Sequence, residues 1–280
     1  MASVVVTSAG RVKLIAGSIL LGVLCVVFVV GPILVGVGPN EQDLLRAGSS
    51  PSVRAPFGTD ELGRDLFVRL CHGGRGSLAT ALAAGLTALV IGSGIGALAG
   101  FVRRVDGTVV QSIDLLVSVS NWTFVLVVAP WFLRLPGGIG ILSGLLASDR
   151  LARLVRSHVQ GNSFGDVISA AIVSGSTKIS LVRRHLWPHL SGLVAVEVLF
   201  VMALSSSFEA SLGFLQFGDQ LSLGLALQDA KGSVTNGTFR LAIPALLLVS
   251  ILLSFYLISR GVSQVRPNGL GRDQRAPARA

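Results

Sequence analysis

The sequence predicts an all-α, polytopic membrane protein that crosses the bilayer with six transmembrane helices. Its mean hydropathy is +0.74, and of its 280 residues 51% are apolar and only 13% are charged. So little polar surface cannot cover a soluble globule of this size, which makes the lipid bilayer the expected solvent. Six apolar segments have or approach the ~20 residues that a spanning helix needs.

The six predicted spans cover residues 14–37, 78–102, 109–133, 137–155, 190–214 and 241–259. The first span follows Arg11 and Lys13, as the core of a signal peptide would. It is too long for one and lacks a small-residue cleavage pattern, so we expect a retained membrane anchor. The fourth span is the weakest, because Asp149, Arg150 and Arg153 lie in its second half.

These spans divide the chain into four parts. Residues 1–37 hold a cytoplasmic N-terminus and the first transmembrane helix, and 38–77 form an extracytoplasmic segment. Residues 78–262 form the core, with a cytoplasmic loop at 149–189, and 263–280 form a cytoplasmic tail. The pieces placed inside carry 15 of the 23 Lys and Arg residues, and this excess supports a multi-pass topology with both termini cytoplasmic. Because the basic residues form no patch interleaved with aromatic residues, the net charge of +9 reflects topology and no nucleic-acid partner is expected.

Small residues recur every four positions along the second span, and such a stripe lets another helix approach closely. They are Ala84, Ala88, Gly92, Gly96 and Gly100. Two interpretations stay open from the sequence. The stripe packs against a helix of this chain, or it forms a seam with a second membrane subunit.

One apolar and three polar residues share one face of the fifth span and form the candidate translocation pathway. They are Met202, Ser205, Ser206 and Glu209. A charge at membrane depth is costly, so such residues commonly line a polar pathway. The alternative is that Glu209 reaches the outer interface or pairs with a basic residue of an outer loop.

The sequence contains no recognisable catalytic, nucleotide-binding or metal-binding motif. The string nearest to a phosphate-binding loop, GSTKIS from Gly175, lacks the leading glycine and the GK pair. There is no HExxH motif and no cluster of His and Cys residues, and the two cysteines cannot build a disulfide framework. We therefore predict no catalytic residue, metal or cofactor on this chain, and no ATP hydrolysis by the chain itself.

A polar and basic stretch, residues 166–188, separates two apolar spans on the predicted cytoplasmic side. Asp166 can cap a short helix, Ala170 and Ala171 present little bulk, and Gly175 is a natural stop. These residues predict a short helix that lies along the membrane face and is suited to docking a partner. The alternative is an amphipathic helix that rests on lipid headgroups.

A long motif at residues 56–78, PFGTDELGRDLFVRLCHGGRGSL, carries a family resemblance. It resembles PFGTDxLGRDxxSRxxxGxRxSL in the C-type membrane permease subunits of binding-protein-dependent ABC importers for dipeptides, oligopeptides and nickel. The resemblance continues at ARLVR from Ala152 and at EASLGFLQFG from Glu209, which is similar to EAALSFLGLG. It implies an N-terminal helix followed by a five-helix permease core in a bacterial inner membrane.

The resemblance also implies how the cytoplasmic loop works. In such permeases a coupling helix docks on the ATPase subunit. The matching positions here are Ser169, Ala170, Ala171 and Gly175, and with the capping residue Asp166 they form the predicted coupling helix. Ser169 stands where the family has a glutamate, which removes one possible salt bridge to the ATPase.

The expected partners are a B-type permease subunit, ATPase subunits that bind ATP and Mg, an extracytoplasmic substrate-binding protein and a peptide substrate. Nickel and haem remain alternative substrates. An ATP-independent secondary transporter or channel is the alternative of another class, for which inverted repeats or several buried charges would be expected, and neither is seen.

Overall fold

The computed structural model describes residues 4–6, 8–53, 55–101, 121–133, 135, 137–160, 187–217, 221–231 and 239–267. Helices dominate this part of the chain. They are α1 (Ser8–Val35), α2 (Leu66–Thr87), α3 (Ser93–Phe101), α4 (Asn121–Phe132), α5 (Gly138–Gln160), α6 (Trp187–Phe214), α7 (Leu223–Lys231) and α8 (Phe239–Ser263). A 3-10 turn covers Leu44–Arg46, and a π-helical turn, Ala88–Gly92, joins α2 to α3. Two three-residue strands, β1 (Val4–Val6) and β2 (Val265–Pro267), pair antiparallel.

Four helices within the described residues are long and apolar enough to cross a membrane: Ser8–Val35, Leu66–Gly100, Leu190–Phe214 and Leu241–Ser263. They correspond to the first, second, fifth and sixth predicted spans, so a helical membrane protein is confirmed. Of the third predicted span, residues 109–120 lie outside the described residues, and the remainder contains α4. The fourth forms part of α5, whose charged residues set it apart from the apolar spans. The total of six transmembrane helices stays a prediction.

Two predicted segments overlap helices by several residues. The second membrane helix begins at Leu66, so the last part of the predicted segment 38–77 is already helical. The predicted loop 149–189 also begins within a helix, because α5 continues to Gln160. The reason is the same at both places. Charged side chains lower the local hydropathy, but contacts with other helices let the helix continue through them.

Helices α1 and α8 pack antiparallel through close glycine contacts. A Cβ at Gly17 would lie 2.9 Å from the Ile258 backbone nitrogen, and one at Gly261 would lie 2.7 Å from the Leu14 Cβ. The start of α1 therefore lies beside the end of α8, and the β1–β2 pairing continues this contact. This ribbon departs from the all-α prediction. We call this side of the bundle the terminal end and the opposite side, with residues 36–65, the loop end.

The predicted small-residue stripe packs within the chain. Ala84 and Ala88 are fully buried. A Cβ at Gly92 would lie 2.7 Å from the Ser148 carbonyl oxygen, and Gly100 is similarly close to Val159. Both partners are on α5, so packing inside the subunit is the confirmed interpretation of the stripe.

Candidate functional site

The motif at residues 56–65 folds into a compact loop that starts helix α2. Gly58 and Gly63 have φ angles of 78° and 75°, in the left-handed region that favours glycine. The Asp65 carboxylate caps α2 by accepting from the Phe67 and Val68 N–H groups at 2.8 and 3.2 Å. Burial raises the pKa of the Asp65 carboxyl, although these two hydrogen bonds act to lower it. The cap explains why the helix begins at Leu66, ahead of the apolar span.

Four charged side chains meet at the loop end, and we call them the loop-end charge cluster: Asp60, Arg64, Arg69 and Asp229. Arg64 Nε lies 2.6 Å from Asp60 Oδ2, and Arg64 Nη2 lies 3.8 Å from Asp229 Oδ2. Arg69 Nη2 donates to the same Asp229 oxygen. Arg69 is only 4% exposed, so its charge is held within the protein and paired. The cluster therefore joins the motif loop, α2 and α7.

Arg75, also in the motif, stabilises helix α1. Pro32 lies inside α1 and has no N–H group, so it cannot donate to the carbonyl of Phe28, four residues earlier. Arg75 Nε donates to that Phe28 oxygen at 2.6 Å, and Arg75 Nη2 donates to the Val29 oxygen at 2.6 Å. An unsatisfied carbonyl costs several kcal/mol in lipid. Arg75 avoids this cost because it supplies the hydrogen bond that proline cannot donate.

Glu209 on α6 is buried and is hydrogen-bonded by serines. Ser77 Oγ on α2 donates to Glu209 Oε2 at 2.6 Å, and Ser222, just before α7, supplies a second hydrogen bond. Gly73 allows the close approach of α2 to this region, since a Cβ there would lie 2.8 Å from the Ser222 carbonyl carbon. Glu209 thus links α2, α6 and the start of α7.

The other predicted pathway residues lie on the same face of α6 and pack within the chain. The Ser205 hydroxyl lies 2.7 Å from the Ser143 hydroxyl on α5, and Ser206 Oγ donates to the Met202 carbonyl at 3.0 Å. Met202 packs closely against Gly85 of α2. Ser205 and Ser206 are 1% and 0% exposed. The structure thus brings the predicted set together on one face, while its role in a pathway stays a prediction.

A second charged group lies on α5 and α6. Arg150 Nε is 3.0 Å from Glu197 Oε1, and the Arg150 guanidinium carbon lies 4.7 Å from the centre of the Phe200 ring. Arg153 Nη2 is 2.6 Å from Asp149 Oδ1, one turn away on α5. No role for Glu197 follows from the sequence, because its partner Arg150 is 47 positions away along the chain and no local pattern connects them.

The predicted coupling-helix residues lie outside the described residues. They are Asp166, Ser169, Ala170, Ala171 and Gly175. Their docking role stays a prediction. Within the described part of the chain, no group of three or more His, Cys, Asp or Glu side chains is placed to hold a metal ion.

The helical bundle resembles the solved structure of a transporter. The MetNI methionine ABC transporter, in inward-facing conformations, contains a chain that superposes with TM-scores of 0.57 and 0.58 in two crystal forms. The match covers 70–71% of this chain and 96–97% of that chain at 18–20% sequence identity, a level that establishes the fold alone. The fold is therefore that of a chain of this ABC transporter.

Sequence relatives define the family, although no known family model matches the chain. The dipeptide transport system permease protein DppC of Lactococcus lactis is 33% identical over 80% of this chain and 66% of its own length, just under two thirds. The oligopeptide transport system permease proteins OppC of Haemophilus influenzae and Escherichia coli K12 are 30% and 31% identical over 89% of this chain. That similarity covers 82% and 84% of their own lengths. The chain belongs to the DppC/OppC family of ABC transporter permease subunits.

Proposed function

We propose that this chain is one membrane-spanning permease subunit of an ABC importer for dipeptides or oligopeptides in the bacterial inner membrane. The observation that carries the proposal is the similarity to OppC and DppC proteins along 80–89% of the chain. In this function the subunit forms half of the translocation pathway and pairs with a related B-type permease. An extracytoplasmic binding protein delivers the substrate.

ATP hydrolysis takes place on partner ATPase subunits, so this chain is not itself an enzyme. A cytoplasmic coupling helix around residues 166–175 transmits the ATPase motion. Six transmembrane helices, an N-terminal helix plus a five-helix core, place both termini in the cytoplasm and the loop end outside. The antiparallel packing of α1 against α8 supports this topology, because it brings the first and last helix ends to one side.

The pathway assignment of Met202, Ser205, Ser206 and Glu209 is part of the same proposal. In the described conformation these residues pack against α2 and α5. Exposing them to a substrate therefore requires α6 to separate from those helices during the transport cycle.

The test uses the complete complex in nanodiscs, with its binding protein and ATPase subunits. Dipeptides and oligopeptides are expected to raise the ATPase rate only when the binding protein is present. Stimulation by nickel or haem but by no peptide would overturn the proposed peptide substrate and leave the importer class unchanged. Substrate flux that continues without ATP would instead indicate a secondary transporter or a channel.

A further inference from the structure

The loop-end charge cluster joins residues that are far apart in the sequence. Arg64 belongs to the motif loop and Arg69 to the first turn of α2, and both approach one carboxylate, Asp229, near the end of α7. The 160 positions between Arg69 and Asp229 exclude a purely local role for this contact. The motif thus has a partner in a part of the chain to which sequence analysis gave no function.

We propose that Asp229 is a positioning residue that clamps α7 to α2 and to the motif loop, so that the three move as one body at the loop end. The proposal rests on the proposed transport function, in which the loop end has to change shape during each cycle. It assigns a mechanical role to the motif, which holds this body together.

Burial makes the clamp strong. Arg69 is 4% exposed, and the side chains of Arg64 and Asp229 are 19% and 23% exposed. Pairs that are largely removed from water are screened far less than surface pairs, and loss of one partner leaves a buried charge uncompensated. Separating α7 from α2 would leave Arg69 without its acidic partner. The cost of that loss opposes independent movement of the two helices.

A second attachment fixes the other end of α7. Gly224, at its start, lies against the Ala210 backbone of α6, and Gly73 of α2 lies against Ser222. Ser222 Oγ accepts from the Leu225 N–H at 3.0 Å and so caps the helix. With Asp229 held at its far end, α7 is fixed at two points and runs antiparallel to the first turns of α2.

Hydrogen exchange of the complete complex in nanodiscs tests the proposal without depending on transport. Asp229→Asn is expected to raise amide exchange at least about tenfold in both 223–231 and 58–65, because the ion pairs of Asp229 with Arg69 and with Arg64 are lost together. Arg64→Gln is expected to raise exchange in 58–65 alone, since Arg69 still holds α7. The matched control is Arg46→Gln. It removes the ion pair between Arg46 and Asp43, whose side chains are 52% and 47% exposed, and it should leave amide exchange in both regions unchanged.

A second variant separates the clamp from general damage to the fold. Adding Arg69→Met to Asp229→Asn removes the uncompensated buried charge but does not replace the lost ion pair, so amide exchange in 223–231 is expected to stay faster than in the wild type. Asp229→Glu keeps the charge and is expected to remain close to wild type. Amide exchange that rises in α7 but not in 58–65, or a double variant whose exchange in 223–231 is as slow as that of the wild type, would overturn the clamp.

Kinetics then show whether the clamp serves transport. In Asp229→Asn the maximal ATPase rate stimulated by binding protein is expected to fall several-fold, with the half-saturating binding-protein concentration unchanged. An unchanged maximal rate would overturn the positioning role. A wild-type complex without any stimulation would instead refute the proposed function, and the exchange result would still stand.

Discussion

The contact between α3 and α5 predicts opposite effects for two alanine substitutions on one helix. Gly96 faces α5, where a Cβ would lie 2.5 Å from the Ala152 carbonyl oxygen and 2.8 Å from the Val155 Cβ. The first distance is 0.9 Å inside the 3.4 Å at which ordinary contact begins, so the helices have to separate. Gly94, two residues earlier, is exposed, and a Cβ there would meet no described atom within 4 Å.

Alanine is favoured over glycine inside a helix by about 1 kcal/mol, which both substitutions gain. Gly96→Ala also incurs an overpacking cost of about 1–3 kcal/mol. We therefore expect Gly94→Ala to be more stable than Gly96→Ala by roughly that cost, at roughly 2–4 °C of unfolding midpoint per kcal/mol. The assay is thermal unfolding of the purified chain in detergent, followed by tryptophan fluorescence. A Gly96→Ala midpoint equal to or above that of Gly94→Ala would refute the close helix contact.

Four further substitutions test other parts of the structure. Arg75→Met should lower the unfolding midpoint clearly in the wild-type chain but much less in a Pro32→Ala background, where the helix satisfies its own carbonyl; equal losses in both backgrounds would contradict this pairing. Asp65→Ala should cost about 1 kcal/mol in urea unfolding through loss of the helix cap, whereas Asp65→Asn should cost little, and a larger loss for Asn would argue against capping. Ala171→Arg should leave membrane insertion intact but uncouple ATPase activity from transport, and normal transport by this variant would exclude the docking assignment. Glu209→Gln should change transport kinetics if its charge lines the pathway, whereas unchanged kinetics with several peptides would favour a structural role.

Hydropathy located the membrane helices well where their polar groups are few. The fifth predicted span, 190–214, has the same bounds as the apolar helix in the structure, Leu190–Phe214. The second span was placed too late because Arg69 and Arg75 reduce the hydropathy of the first turns of α2. The Asp65 cap was a local signal that could have placed the helix start correctly.

The partners of those two arginines were beyond sequence reasoning. Pro32 indicates that one carbonyl of α1 lacks its helical donor, but only the packing of α2 beside α1 shows that Arg75 supplies it. Similarly, the charge of Arg69 indicates a need for an acid without selecting Asp229. The candidate face of α6 was predicted correctly as a set, whereas its contacts with Ser77 and Ser143 depend on the tertiary packing.

The motif is best understood from how its polar groups are used at membrane depth. Arg69 contacts α7, Arg75 contacts α1, and Ser77 contacts Glu209 of α6. These three residues lie on one helix but are bonded to three others, and the glycines between them allow α1 and the start of α7 to come close. Since lipid supplies no hydrophobic drive for helix association, close packing and hydrogen bonds have to supply it. The features that make this stretch less apolar than a simple membrane span are therefore the ones that assemble the loop end of the bundle.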